Sequence, residues 1–178
     1  SMYLNGLSNS LPRDVQEAVV WAVPGLERAA FLRYGYAVEY DVGAPTQVTH
    51  RLEARGLPGL YLAGQLLGTS GYEAAAAVGF LAGVNAARRL RGEPGLVLGR
   101  EEAYLGVLVD DLVGREHLEP YRMFSSRAEH RLSLGVDSAR ERLMARGGEL
   151  GLVAKVEHER EARRQEAREA ARRRLEEG

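Results

Sequence analysis

Gly64-Gln65 and the run from Gly68 to Glu73 carry the residue types that hold an anion or the polar edge of a ligand. They lie in GLYLAGQLLGTSGYEAAAAVGFLAGVNAARR, residues 59–89. Gly64, Gly68 and Gly71 leave the backbone open to close approach, and the Gln65 amide can both donate and accept. A helix opening just after them turns its unpaired first-turn N–H groups outward, and the macrodipole adds partial positive charge. A second cluster sits in EPYRMFSSRAEHRL, residues 119–132, with Arg122, Arg127 and Arg131 among Tyr121, Phe124 and His130. Such a cluster holds phosphates, and a nearby aromatic stacks on an unpaired base. It also reads as an Arg/Glu network with Glu119 and Glu129, and the residues leave both readings open.

Other candidates carry less chemistry. Asp110 and Asp111 are adjacent, so on a helix they point about 100° apart and rarely chelate together. One of them is expected to bond backbone or an arginine. His50, His117, His130 and His158 have no metal-ligand spacing, and no metal site is expected. With no cysteine in the chain, disulfides, thiolate nucleophiles and Cys-ligated zinc are excluded. No Ser, His and Asp set suggests a hydrolase.

The elements that must position these residues follow from periodicity. Val15, Ala18, Val19 and Ala22 form one apolar face of a helix entered through Pro12. Residues 36–40 alternate as a strand, and Leu60-Tyr61-Leu62-Ala63 fits a strand buried on both faces of a parallel sheet. The next helix is predicted to start near residues 71–73 and to end before Gly92. Within it Gly79, Gly83 and Ala87 make a smooth ridge suited to tight packing on a sheet. Gly92-Glu93-Pro94-Gly95 is the clearest domain boundary. Leu105, Leu108, Val109 and Leu112 mark a helix over residues 100–113. Ser126 with Glu129, and Ser138 with Glu141, fit capping boxes and predict helix starts near 127 and 139. This would place Arg127 and Arg131 on one helical face. Gly147-Gly148 is expected to stop the second of these helices. A charged helix with a thin apolar stripe fills residues 153–177, with Glu159–Arg163 and Glu169–Arg173 as i,i+4 pairs.

Composition bounds the class. The chain is 45% hydrophobic and 28% charged over 178 residues, enough for a packed core. Its net charge of -1 divides into +3 for residues 120–178 and -4 for the rest, a mild bias toward an anionic partner at the C-terminal side. No apolar run approaches the roughly 18 residues of a membrane span. With no signal-peptide pattern at the start, a soluble cytoplasmic protein is expected. No GxGxxG is present, so at most the later half of a nucleotide-binding fold is expected.

AGQLLGTSGYEAAAAVGFLAGVNA resembles the signature of the MnmG (GidA) family, AGQ-x-x-G-x-x-GY-x-x-x-A-x-x-G-x-x-AG-x-NA. YLNGLSNSLP, GYAVEYD, EAYLGVLVDDL, EPYRMFSSRAEHRL and GELGLV match the same family in order, so the resemblance covers residues 3–153. It implies an α/β fold: the later half of an FAD-binding Rossmann-like domain (residues 1–95), then an all-α helical domain (residues 96–178) that binds tRNA or a partner. The family is a homodimeric flavoenzyme. With the GTPase MnmE it installs an aminomethyl or carboxymethylaminomethyl group at carbon 5 of the tRNA wobble uridine. It uses FAD, NADH and a folate one-carbon donor. The resemblance makes Gly64, Gln65, Gly68, Thr69, Gly71, Tyr72 and Glu73 FAD-binding and Arg122, Arg127 and Arg131 tRNA-binding. Catalytic residues are expected upstream of this chain, which is read as a fragment unable to turn over alone. Backbone N–H groups of the turn would stabilise negative charge on the reduced flavin.

The chain departs from the family pattern at Leu67, Ala74 and Val78, where polar residues are usual, and at Tyr34 and Gly135. Two alternatives stand beside this reading. One is the FAD- and folate-dependent tRNA uridine methyltransferase, disfavoured by the turn sequence and by the presence of the EPYRMFSSRAEHRL region. The other is a helical module that binds tRNA or protein without catalysis.

Overall fold

Helix α3, Tyr104–Gly114, is apolar on nearly every side, and burial on nearly every side is where it sits. Leu108, Val109, Leu112 and Val113 enter one cluster with Val48, Leu52, Leu67, Val78, Leu81, Leu96 and Tyr121. Val107 turns to a second, smaller cluster with Ala128 and Leu134. Each buried Leu or Val contributes about 1.5–3 kcal/mol relative to exposure, so α3 organises the residues around it. Gly106 permits the approach: a Cβ there would collide with the Gly99 carbonyl and lie 2.8 Å from the Leu98 oxygen.

The computed structural model describes residues 1–176. Residues 177 and 178, read from sequence as the end of the charged helix and of the helical domain, lie outside them. The chain forms two compact units, Ser1–Tyr40 and Asp41–Gly178. The described residues contain helices, single turns of 3₁₀ helix and isolated β-bridges, and no strand.

In the first unit, helix α1 spans Arg13–Trp21 with Pro12 just before it. Its buried side chains are Gln16 and Val20, while Val15 and Val19 are each 38% exposed, so the expected apolar face is not the covered one. Gln16 takes the inner position because its amide satisfies two chain segments. Its Nε2 donates to Leu11 O at 2.7 Å and Gly35 O at 3.0 Å, and its Oε1 accepts from Gly35 N at 2.9 Å. Phe31 stacks on Tyr34 at 5.0 Å between ring centroids, and Arg13 lies over the Tyr34 ring. Residues 36–40, expected as a strand, form no ladder, and Tyr36, Val38 and Tyr40 are exposed.

In the second unit, helix α2 spans Tyr72–Leu90, as periodicity predicts. Val78, Leu81, Ala82 and Asn85 form its buried face, and the helix packs on α3. The expected parallel strand at Leu60–Ala63 is a single antiparallel bridge, Glu53 to Tyr61, flanked by Ala54 N to Leu60 O at 2.8 Å and Leu62 N to Leu52 O at 3.0 Å. Its neighbour cannot continue as a strand because Leu52 sits at φ 63°. A left-handed leucine costs about 1–2 kcal/mol; full burial of the Leu52 side chain in the main core offsets that cost. The Gly79, Gly83 and Ala87 ridge meets no sheet: a Cβ at Gly79 or Gly83 would have nothing within 4 Å.

Asn85 pins the chain at Leu96, just after the Gly92–Gly95 segment. Its Nδ2 donates to Leu96 O at 3.0 Å and Arg51 O at 3.1 Å, and its Oδ1 accepts from Leu96 N at 2.6 Å. Helix α4 spans Ala139–Glu149 and helix α5 Lys155–Glu176, and the two pack together. Gly147-Gly148 does not stop α4; the pair lies inside it, and His158 of α5 rests where a Gly148 side chain would be. Ser138 makes no capping bond; its hydroxyl donates to Ser133 O at 2.8 Å and Gly135 O at 3.1 Å. On α5 the Glu169–Arg173 pair forms at 3.8 Å, whereas Arg163 bonds the Glu159 carbonyl instead of its carboxylate.

The two kinds of helical glycine should respond oppositely to alanine. Gly106→Ala should cost about 1–3 kcal/mol through overpacking, and Gly83→Ala should gain about 1 kcal/mol of helix propensity. Denaturant melts followed by circular dichroism check both; a neutral Gly106→Ala would contradict the close packing of α3.

Candidate functional site

The turn before α2 is built by two glycines that other residues replace only with strain. Gly64 (φ 68°) opens a single 3₁₀ turn, Gly64–Leu67, and Gly68 (φ 77°) closes it, with Gly68 N bonded to Gln65 O at 2.8 Å. Gly71 is the N-cap of α2, with ordinary φ and no side-chain cap. Tyr72 is 93% exposed, Glu73 is exposed in the first helical turn, and Gln65 is half-buried with no side-chain partner among the described residues. Thr69 differs: it is 1% exposed, and its Oγ1 has no hydrogen-bond partner. An orphaned buried hydroxyl costs about 1–3 kcal/mol. Leu67 and Val78 are core residues here.

This turn is joined directly to the arginine segment. Tyr121 N donates to Gly68 O at 2.8 Å, and Thr69 bridges to Tyr121 in parallel sense. A cavity of about 160 Å³ opens at the junction, lined by Val42, Leu67, Gly68, His117, Glu119 and Tyr121 among others.

Behind the junction lies a charge cluster centred on Arg100, which the sequence reading did not single out. Its Nη1 donates to Asp111 Oδ1 at 2.7 Å and Asp110 Oδ2 at 2.9 Å; its Nη2 donates to Glu129 Oε1 at 2.8 Å and Arg127 O at 3.0 Å. Both members of the Asp110-Asp111 pair therefore serve an arginine, and no group of acidic or histidine residues suited to a metal occurs among the described residues. Asp111 is buried and also accepts from the Tyr121 hydroxyl at 2.8 Å. Burial, then that bond to a carboxylate, raises the Tyr121 pKa far above the ordinary phenol range, so the hydroxyl stays a donor. The carboxylates around Arg100 raise its own pKa further. His50, 3.1 Å away, and then Arg100 hold Asp110 below the usual carboxylate range; Arg100 does the same for Glu129.

This cluster explains why the predicted helix near residue 127 is absent. Only Ser125–Arg127 form a 3₁₀ turn, followed by irregular turns. Glu129, expected to cap with Ser126, is taken by Arg100 instead, and several bonds from a guanidinium outweigh the single backbone N–H a cap would give it. Arg127 and Arg131 consequently share no helical face. Arg127 lies over the Tyr121 ring, 4.7 Å from its centroid. Arg122 and Arg131 are exposed and have no ion-pair partner among the described residues. Arg100 was missed because its acids lie ten, eleven and twenty-nine positions away, a spacing no local pattern registers.

An uncapped helix N-terminus behind a left-handed glycine turn is thus bonded directly to a basic surface segment. The family model described as "Glucose inhibited division protein A" matches residues 1–94. Two bacterial proteins named tRNA uridine 5-carboxymethylaminomethyl modification enzyme MnmG are close in sequence. That of Thermodesulfovibrio yellowstonii is 57% identical over 157 residues, covering 88% of this chain and 25% of the relative. That of Roseiflexus castenholzii is 50% identical over 168 residues, covering 94% and 25%. The Aquifex aeolicus GidA structure (form II crystal) aligns with a TM-score of 0.80 at 44% identity, covering 93% of this chain and 27% of that one. The chain belongs to the glucose inhibited division protein A (GidA) family, and it spans about a quarter of the length of these relatives.

Removing Arg100 leaves the buried Asp111 with the Tyr121 hydroxyl and, among the described residues, no cation nearer than Arg127 at 3.9 Å, and breaking such a pair costs up to about 3–5 kcal/mol. Arg100→Gln should therefore destabilise the chain by about 3 kcal/mol at pH 7. The groups that Arg100 holds low contribute stability above their unfolded pKa, and lose it as pH falls through the folded value. The gap between wild type and variant should narrow below about pH 4, as measured by melting temperature against pH; a gap constant to pH 3 would contradict the cluster's role.

Proposed function

We propose that this chain is part of a flavoenzyme that, with the GTPase MnmE, modifies carbon 5 of the tRNA wobble uridine. In this reading residues 1–95 belong to the later half of a Rossmann-like FAD domain. Residues 96–178 form a helical region for tRNA or partner binding. The relatives' printed names and the direct bond between Tyr121 and Gly68 support it. That bond is the observation that carries the proposal, since it holds the candidate cofactor turn and the arginine segment together. NADH and a folate one-carbon donor, a homodimeric whole protein and a cytoplasmic location complete the reading. No helix among the described residues is long and apolar enough to cross a membrane.

The residues present fit FAD. Gln65 has an unpartnered amide, the first-turn N–H groups of α2 have no side-chain cap, and Thr69 keeps a hydroxyl without a partner. Gly64, Gly68 and Gly71 leave the approach free of side chains, and Tyr72 and Glu73 flank it. Bound FAD supplies electron and hydride transfer. This chain's part is to hold the cofactor by Gln65 and the turn's N–H groups and to favour negative charge beside them. Arg122, Arg127 and Arg131 provide the basic surface toward tRNA.

Two titrations test the proposal. FAD binding, read by flavin fluorescence, should weaken about tenfold in Gln65→Leu, in keeping with one lost hydrogen bond of about 1.5 kcal/mol. tRNA binding by filter retention should weaken with salt and collapse when Arg122, Arg127 and Arg131 are replaced together by Ala. Salt-independent binding, or binding indifferent to the three arginines, would return them to a structural role.

A further inference from the structure

We infer that Arg127 is a stacking platform for an unpaired RNA base, and that the phosphate contacts fall to its neighbours Arg122 and Arg131. This rests on the tRNA reading above and names what the segment recognises. Tyr121 is 2% exposed and fixed on several sides. Its hydroxyl is bound to Asp111 at 2.8 Å, its N–H to Gly68, and the His117 ring meets it edge-on at 5.4 Å. The Arg127 guanidinium covers this ring with Cζ 4.7 Å from the centroid, and its carbonyl is held by Arg100 at 3.0 Å. Its Nη1 leans toward Asp111 Oδ2 at 3.9 Å, a carboxylate that Arg100 already neutralises at 2.7 Å.

Arg127 is thus positioned by the Tyr121 ring and by its own carbonyl, with its carboxylate neighbour Asp111 no nearer than 3.9 Å. One side of the guanidinium is occupied by Tyr121, while the side chain remains 38% exposed. A guanidinium is planar and weakly hydrated, so it accepts a π face on its open side, and RNA-binding proteins use such planes for unstacked bases. Holding it in place beforehand lowers the entropy lost when a base arrives. A phosphate clamp needs the opposite arrangement, an N–H fork free to turn outward. Arg122 and Arg131, exposed and unpaired among the described residues, have that freedom.

The test uses the full 178-residue chain, tRNA, and a single-stranded RNA carrying 2-aminopurine, with dissociation constants measured across a salt series. Circular dichroism confirms folding of each variant. Arg127→Lys keeps the charge and removes the plane. It should weaken binding about 5- to 100-fold, leave the salt slope unchanged, and abolish quenching of the 2-aminopurine. Arg122→Ala should lower the slope by about 0.7–0.9, one phosphate's worth. Wild-type affinity in Arg127→Lys, or a slope lowered in Arg127→Ala as in Arg122→Ala, would overturn the stacking assignment while leaving tRNA binding intact. No RNA binding by the wild type would overturn the tRNA reading and the stacking assignment with it.

Discussion

The pair between Arg100 and the buried Asp111 is the constraint on which the C-terminal unit depends. A carboxylate this enclosed is tolerated only with full pairing, and Arg100 and Tyr121 supply it. Satisfying Asp111 fixes Tyr121, and fixing Tyr121 ties residue 121 to Gly68. The remaining arms of Arg100 hold Glu129 and the Arg127 carbonyl. One guanidinium therefore sets the path of the segment from Tyr121 to Glu129, where propensity alone would have made a helix.

That dependence joins two chemistries. In the proposed reading the glycine turn before α2 would offer N–H groups and an amide to an anionic cofactor, and the arginine segment would offer positive charge and a guanidinium plane to RNA. Tyr121 belongs to both, with its N–H on the turn, its ring under Arg127 and its hydroxyl on Asp111.

How much of this was legible depended on the range of the forces involved. Helix α2 was legible to within a residue at its start because its signals are local: the glycine turn before it and Gly92 beyond its end. The glycine turn was legible for the same reason. The helix expected near Arg127 failed because Ser126 and Glu129 satisfy a local pattern that a distant guanidinium overrides. The strand at residues 60–63 failed because its neighbour in the chain turns left-handed at Leu52. Gln16 illustrates the reverse case, a polar residue placed inward at the cost of Val15 and Val19 because two backbone segments need its amide. Arg100 itself, the centre of the site, carries no sequence signal beyond being an arginine.

The most direct test of this account is amide hydrogen exchange, resolved by peptide, in wild type and Asp111→Asn. Exchange reports local opening free energies along the chain. The account predicts protection in the wild type at Tyr121, Arg127 and Ala128, the residues of the 121–128 stretch whose N–H groups are hydrogen-bonded. In the variant, protection should be lost across that stretch and at Gly68–Thr69, with the middle of α2 still protected. Unchanged protection at residues 121–128 in Asp111→Asn would show that the segment is held by something other than the Arg100–Asp111 pair, and would contradict the account at its centre.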